Sequence, residues 1–284
     1  MKAIGNSALI VEGGAMRGVF SCGVLDHFLS VNFSPFDSFW GVSAGASNVA
    51  AYLANMPGRN LKIYADYSCR KEFFTPVNFI RGGDLLDIDW LWKATMQDLG
   101  MDLEAIEKDG RPFFLGLTNK STGQPEYHLA QSSTLIETMK ASSALPVMYK
   151  QDIALNGQCY VDGGASDSIP VAEAIRRGAK RIMVLRSRPY SYKKSPAKMP
   201  SFYKRALRKS PGLIQPMLRR AQQYNESLEL IRHPPLGVDI IEICPPESFK
   251  LKRLTRESEP LIKGYELGLD LGKVAILRWQ EENN

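Results

Sequence analysis

Ser43 lies in the pentapeptide Gly41-Val42-Ser43-Ala44-Gly45, a pattern suited to acyl transfer through a serine nucleophile. Gly41 and Gly45 let the backbone close tightly on either side, so the serine can occupy a sharp turn that exposes its hydroxyl. A helix starting directly after Ser43 would bring unpaired amides and the positive end of its dipole to the developing negative charge. A second motif, Gly13-Gly14-Ala15-Met16-Arg17-Gly18, lacks the Lys-Ser or Lys-Thr ending of a phosphate loop and the glycine spacing of a dinucleotide fingerprint. Consecutive amides at Gly13, Gly14 and Ala15 suit an oxyanion hole better, where one donor is worth about 2.7 to 4 kcal/mol of barrier. Arg17 would add positive charge there, or serve as the structural partner of a carboxylate. The third motif is Asp162-Gly163-Gly164, at the end of an apolar run. A serine needs a base. Of the three histidines, His27 falls on a helical pattern and His128 in a strand, while His233 satisfies the chain order Ser, Asp, His. The residues alone leave two bases open, Asp162 by itself or His233 backed by it.

These motifs must be carried by strands and helices in alternation, the signature of a parallel sheet flanked by helices. Residues 8–11 read as a buried strand, 12–18 as a glycine-rich turn and 19–29 as a helix. Residues 36–40 read as a second strand entering the Ser43 turn, followed by a helix of small residues to about Asn55. Residues 112–117 and 126–129 make a hairpin about Ser121-Thr122-Gly123, and 133–143 a helix stopped before Pro146. Residues 159–161 lead into Asp162, Pro170 opens a helix that Gly178 caps, and 181–185 form a strand. From 189 to 201 the composition turns to Pro, Ser, Lys and Tyr, an exposed linker. Helical patterns over 202–230, a strand over 238–243 and a helix over 259–279 follow.

At 284 residues and 44% hydrophobic, the chain can bury a large core, which excludes a disordered or fibrous protein. Cys22, Cys69, Cys159 and Cys244 are far apart, so neither a zinc site nor a disulfide framework is expected, and no metal or cofactor. The first apolar run is too short for a signal peptide and no run is long enough for a membrane helix, which points to a cytoplasmic protein, at most peripheral to a membrane. The net charge of +6 is unevenly spread: residues 176–220 hold fifteen Lys or Arg and no acid, leaving 21 basic against 30 acidic residues elsewhere. Such a block can face the phosphates of anionic lipid or of nucleic acid, or simply water. A nucleic-acid binder on a disused hydrolase fold is the alternative from another class, but no recognition motif accompanies the block, so no nucleic-acid partner is expected.

Taken together, the loop at 13–18, the Ser43 turn and the Asp162 turn resemble the patatin-like phospholipase family, over roughly residues 8 to 175. The segment Ala141 to Pro146 also resembles a stretch of that family. The resemblance implies a three-layer α/β fold, with a mostly parallel central sheet between helices and a C-terminal helical extension. It implies a catalytic core over 8–175, with 176–284 a basic strand and linker and a mostly helical region packing on that core. By the same resemblance Ser43 and Asp162 form a dyad with no histidine, Gly13, Gly14 and Ala15 form the oxyanion hole, and Arg17, Gly18, Gly41, Gly45, Gly163 and Gly164 support them. The substrate would be a phospholipid or other acyl ester, cleaved through an acyl-enzyme. Two positions depart from the family's usual pattern: Glu12 stands where an aspartate is common, and Ala15 where a third glycine is. An alanine fits provided its φ stays negative. A carboxylate base calls for an apolar pocket that raises its pKa. Phe73, Phe74, Phe79, Trp90 and Trp92 are candidates for an acyl-binding wall, and the basic segment for contact with an anionic membrane.

Overall fold

The computed structural model describes residues 3–197 and 199–281. In chain order the first elements are β1 (Ser7–Val11), α1 (Val19–Ser30), β2 (Ser38–Val42), α2 (Ala44–Leu53) and α3 (Arg59–Ala65). Next come α4 (Pro76–Ile80), α5 (Ile88–Leu99), α6 (Leu103–Asp109), β3 (Phe113–Asn119), β4 (Pro125–Leu129), α7 (Leu135–Ser143), β5 (Ile153–Leu155) and β6 (Gln158–Asp162). The remainder is α8 (Val171–Arg176), β7 (Arg181–Leu185), α9 (Pro200–Ala206), α10 (Ile214–Arg232), β8 (Asp239–Ile243) and α11 (Ser258–Glu281).

The strands form one sheet in the order β5-β6-β3-β2-β1-β7-β8, with β4 also paired to β3. The five strands from β3 to β8 in that order run parallel; β4 and β6 pair antiparallel with β3, and β5 antiparallel with β6. Parallel strands are buried on both faces, which is why the runs at 8–11 and 181–185 are apolar without alternation. Leu9, Val11, Phe39, Leu115, Met183 and Leu185 face one core with α1, α2 and α11. Ala8, Ile10, Trp40, Phe114, Ile182 and Val184 face the other, with α8 and α10. This is a three-layer α/β fold with a helical C-terminal region.

The chain beyond residue 175 supplies β7 and β8 to this sheet and α11 to its flank. α11 lies on α1 through glycines: a Cβ on Gly23 would fall 2.1 Å from the Tyr265 carbonyl, and one on Gly268 2.1 Å from the Phe20 carbonyl. The hydroxyl of Tyr265 donates to Asp26 at 2.8 Å beside this seam.

Three expectations about local structure shift. The second strand runs over Ser38–Val42, not 36–40, because Phe36 leaves the ladder to pack among Phe28, Phe33 and Trp279. The stretch between α2 and β3, unassigned from sequence, folds into α3 to α6, and β5 adds an antiparallel edge. The fifteen cations of 176–220 do not make one charged face. Arg186 is fully buried, Arg188, Lys194 and Arg220 turn inward, and Arg176, Arg177, Arg181 and Lys193 pair with carboxylates. Lys198 lies outside the described residues.

Candidate active site

β2 delivers the chain to Ser43, whose backbone turns sharply at φ +54° and ψ −126° before α2 begins at the next residue. A non-glycine residue held there costs on the order of 1–3 kcal/mol, so the surroundings must impose it. Gly45 provides the clearance: a Cβ on it would lie 2.3 Å from the Val11 carbonyl, and one on Gly41 2.5 Å from Ala46 Cα. The Ser43 N–H donates to Ser142 Oγ at 2.8 Å, and Ser142 donates in turn to the Gly116 carbonyl at 2.7 Å.

Asp162 ends β6, opposite Leu117 of β3. Its N–H donates to the Ala144 carbonyl at 2.9 Å and its carbonyl accepts from Thr118 Oγ1 at 2.9 Å, so its backbone is fixed on both sides. The last turn of α7 therefore holds both groups, with Ser142 on the Ser43 turn and Ala144 on Asp162. Sequence reasoning did not assign Ser142 a part; its signal was the segment Ala141 to Pro146, noted there without a role.

The Asp162 carboxylate is buried. Oδ1 accepts from the Gly164 N–H at 2.7 Å, while Oδ2 has no partner. Burial pushes its pKa up, against the pull of the Ser43 hydroxyl, Arg220 and Arg253. Ser43 and Asp162 line one crevice, and no hydrogen bond joins the hydroxyl to the Oδ2 of the carboxylate. Gly163 lies against the Gly116 carbonyl, where a side chain would clash.

Gly13, Gly14 and Ala15 line the same small crevice as Ser43, Asp162 and Gly164. A Cβ on Gly13 would stand 2.8 Å from the Val42 carbonyl and 3.2 Å from Ser43 Cβ, so the loop lies directly on the turn. Among the described residues, the N–H groups of Gly13, Gly14 and Ala15 have no acceptor. Ala15 departs from expectation: it has φ +49°, the left-handed region that disfavours a Cβ by roughly 1–2 kcal/mol. The loop's root is anchored by Glu12, whose carboxylate accepts from Arg186 Nε at 3.0 Å, the Ser187 N–H at 2.7 Å and the Tyr224 hydroxyl at 2.9 Å. Arg186 also pairs with Glu242. Gly18 packs against Tyr64, and its carbonyl accepts from Asn48 Nδ2 at 2.7 Å. Arg17, by contrast, is buried and lines the adjoining cavity, not the crevice itself.

No histidine lines a cavity that reaches Ser43, among the described residues. His233 follows α10 with its side chain 78% exposed beside Glu229. His128 sits on β4 near Glu126 and against Tyr160, and His27 packs on Gly272 of α11.

On one side of Ser43 opens an apolar cavity walled by Phe73, Phe74, Leu86, Ile88, Leu91 and Trp92. Phe79 and Trp90, grouped with them from sequence, are not on it: Phe79 instead lies under Lys150. Met16 and Leu145 close the end near the serine.

A family model described as Patatin-like phospholipase matches residues 9–175, and one described as a domain of unknown function (DUF6363) matches residues 210–284. The uncharacterized protein YjjU of Escherichia coli (strain K12) is 35% identical over 277 residues, covering 95% of this chain and 76% of that protein. The probable lipid hydrolase 463L of Invertebrate iridescent virus 6 is 21% identical over 191 residues, 61% of this chain and 64% of the viral protein. Among solved structures, VipD from Legionella pneumophila superposes over 96% of this chain and 67% of its own, at 12% identity and a TM-score of 0.41.

Proposed function

Because this chain belongs to the patatin-like phospholipase family and is a lipid acyl ester hydrolase, we propose that Ser43 is its nucleophile, Asp162 its base, and the amides of Gly13, Gly14 and Ala15 its oxyanion hole. The observation that carries this reading is the buried Asp162 carboxylate, its Oδ2 unpartnered, in one crevice with a serine on a strained turn and, among the described residues, no histidine.

The acyl chain would occupy the apolar cavity, with the ester carbonyl at Ser43. As Ser43 Oγ attacks, its proton passes to Asp162, and the oxyanion meets the free amides of the glycine loop. Asp162 returns that proton to the departing alcohol, leaving an acyl-serine. A water then gives its proton to Asp162 and its oxygen to the acyl carbon, and the fatty acid leaves as Ser43 is reprotonated. A carboxylate raised by burial is a stronger base than an exposed one, which supports Asp162 in this part.

The deciding experiment measures cleavage of a chromogenic acyl ester. Ser43→Ala and Asp162→Asn should each lose at least about a thousandfold in kcat/KM, and His233→Ala should stay close to wild type. A histidine-dependent esterase would instead lose activity with His233→Ala. A fluorophosphonate should add mass at Ser43 and nowhere else.

Contact with an anionic membrane, within this same proposal, narrows from the whole basic segment to the region of α9. There Phe202, Lys204, Arg205, Arg208 and Lys209 are all exposed. Co-sedimentation with anionic vesicles should fall on Lys204→Glu with Arg205→Glu, and on raising salt. Equal sedimentation with neutral vesicles would end it.

A further inference from the structure

On the other side of the Ser43 crevice, five cationic side chains line one chamber: Arg17, Arg188, Lys194, Arg220 and Arg253. They come from the first glycine loop, the segment after β7, α10 and the turn before α11. Four of the five are anchored by contacts of backbone or side chain. Asn225 clamps the backbone of Lys194, accepting its N–H at 2.9 Å and donating to its carbonyl at 3.0 Å. Arg220 donates to the Gly164 carbonyl. The Arg253 carbonyl accepts from the Met16 N–H at 3.3 Å. Arg188 stacks 4.4 Å from the Tyr192 ring, and Lys194 Nζ lies 4.4 Å over that of Tyr224.

Glu12 and Asp162 act on them only from a distance, through the field. None of the five forms an ion pair among the described residues, and the buried Nε of Arg17 and of Arg188 have no hydrogen-bond partner. Glu12, the carboxylate on the chamber wall, is already occupied by Arg186, Ser187 and Tyr224. Burial first, and then repulsion from the neighbouring cations, press Arg17 and Arg220 down to about 10 and Lys194 down to about 6. Buried like charges of this kind are costly until an anion joins them. Several arginine forks beside a lysine make the donor set that a phosphate takes. Gly13, Ser168, Arg220 and Arg253 line both this chamber and the crevice at Ser43, so the two are continuous.

We propose that the chamber is the subsite for the headgroup phosphate of the lipid, so that the enzyme selects acyl glycerolipids carrying a phosphomonoester over neutral acylglycerols. The inference rests on Ser43 as nucleophile, because that serine lies between the apolar cavity and the chamber, where a single substrate would span both. A dianion also restores the Lys194 proton. The groups facing that amine are Arg220 and Tyr224 from α10, Arg253 from the turn before α11, and Arg17 and Glu12 from the first loop; burial first, and then the cations among them, favour its neutral form until the anion arrives.

The test compares a 1-acylglycerol 3-phosphate with the same 1-acylglycerol lacking phosphate, each dispersed as monomer. Wild type should favour the phosphorylated lipid by at least about tenfold in kcat/KM, and Arg188→Met combined with Lys194→Met should lose most of that preference through a raised KM. Equal kcat/KM for the two lipids in wild type, or a preference that survives the double substitution, overturns the proposal. Calorimetry on Ser43→Ala reads binding without turnover: the phosphorylated lipid should bind more tightly and take up protons at neutral pH. Cleavage retained by Ser43→Ala would sink the nucleophile alone, whereas equal binding of the two lipids would sink the chamber. Inorganic phosphate is the soluble rival, and if it binds the chamber while wild type has no lipid preference, the headgroup assignment is wrong. Lys194→Met removes a buried amine, so it should melt no lower than wild type in phosphate-free buffer, which separates lost selectivity from misfolding.

Discussion

The two flanks of Ser43 differ in chemistry and in origin. The apolar flank is built mainly by residues 59–95, inside the part of the chain that the phospholipase model matches. On the cationic flank, four of the five cations, all but Arg17, come after that part. Arg253 lines both cavities and the crevice between them. The difference teaches that the apparatus for acyl transfer and the apparatus for choosing a substrate need not share a segment: a common core can keep its serine while the later chain changes what is held beside it.

The most damaging way to break this contrast is to remove the ion cluster beneath the cationic flank. Arg186→Leu leaves Glu12 buried without its cation and Glu242 with Arg232 alone, and should cost about 3–5 kcal/mol, read by urea unfolding. Next, Trp92→Ala empties one apolar wall and should reduce the preference for long over short acyl chains by about tenfold in kcat/KM. A pH profile sharpens the contrast at the point where the flanks meet. Asp162 must be ionised to act as base, so kcat/KM should fall as pH drops through its pKa, at a pH above the ordinary carboxylate range. Arg220 holds that pKa down, so Arg220→Gln should move the acid limb to higher pH. The smallest effect belongs to the rim. Ala15→Gly relieves a left-handed alanine and should raise stability by about 1 kcal/mol, visible as a higher melting temperature.

What was legible in the sequence was local. Ser43, Gly13 and Asp162 each sit in a turn whose glycines and neighbouring apolar runs lie within a few residues, and the strands carrying them are short apolar runs of the kind a buried parallel sheet needs. Ala15 was half legible: a glycine is usual at its place, but that the loop there turns left-handed follows from the path of the chain and not from the residue's own type. Ser142 was noticed as part of a segment but not as a group, since its two hydrogen bonds reach 99 and 26 residues along the chain. The cations were misjudged for the same reason. A linear tally of charge over 176–220 suggests one exposed face, and only folding turns Arg188, Lys194 and Arg220 inward to meet Arg17 and Arg253.

The glycine seam between α1 and α11 has a mechanical consequence. Helix pairs with side chains between them yield by small shears as those side chains change rotamer, but at Gly23 and Gly268 backbone meets backbone and there is nothing to rearrange. The two helices should therefore behave as one stiff beam. Room for a longer acyl tail has to come from elsewhere, from the segment that carries Phe73, Phe74 and Leu86, whose intervening α4 contains no buried residue and leaves Ile80 84% exposed. Compliance in this molecule is thus one-sided, and hydrogen exchange should be fast across α4 and slow along the beam.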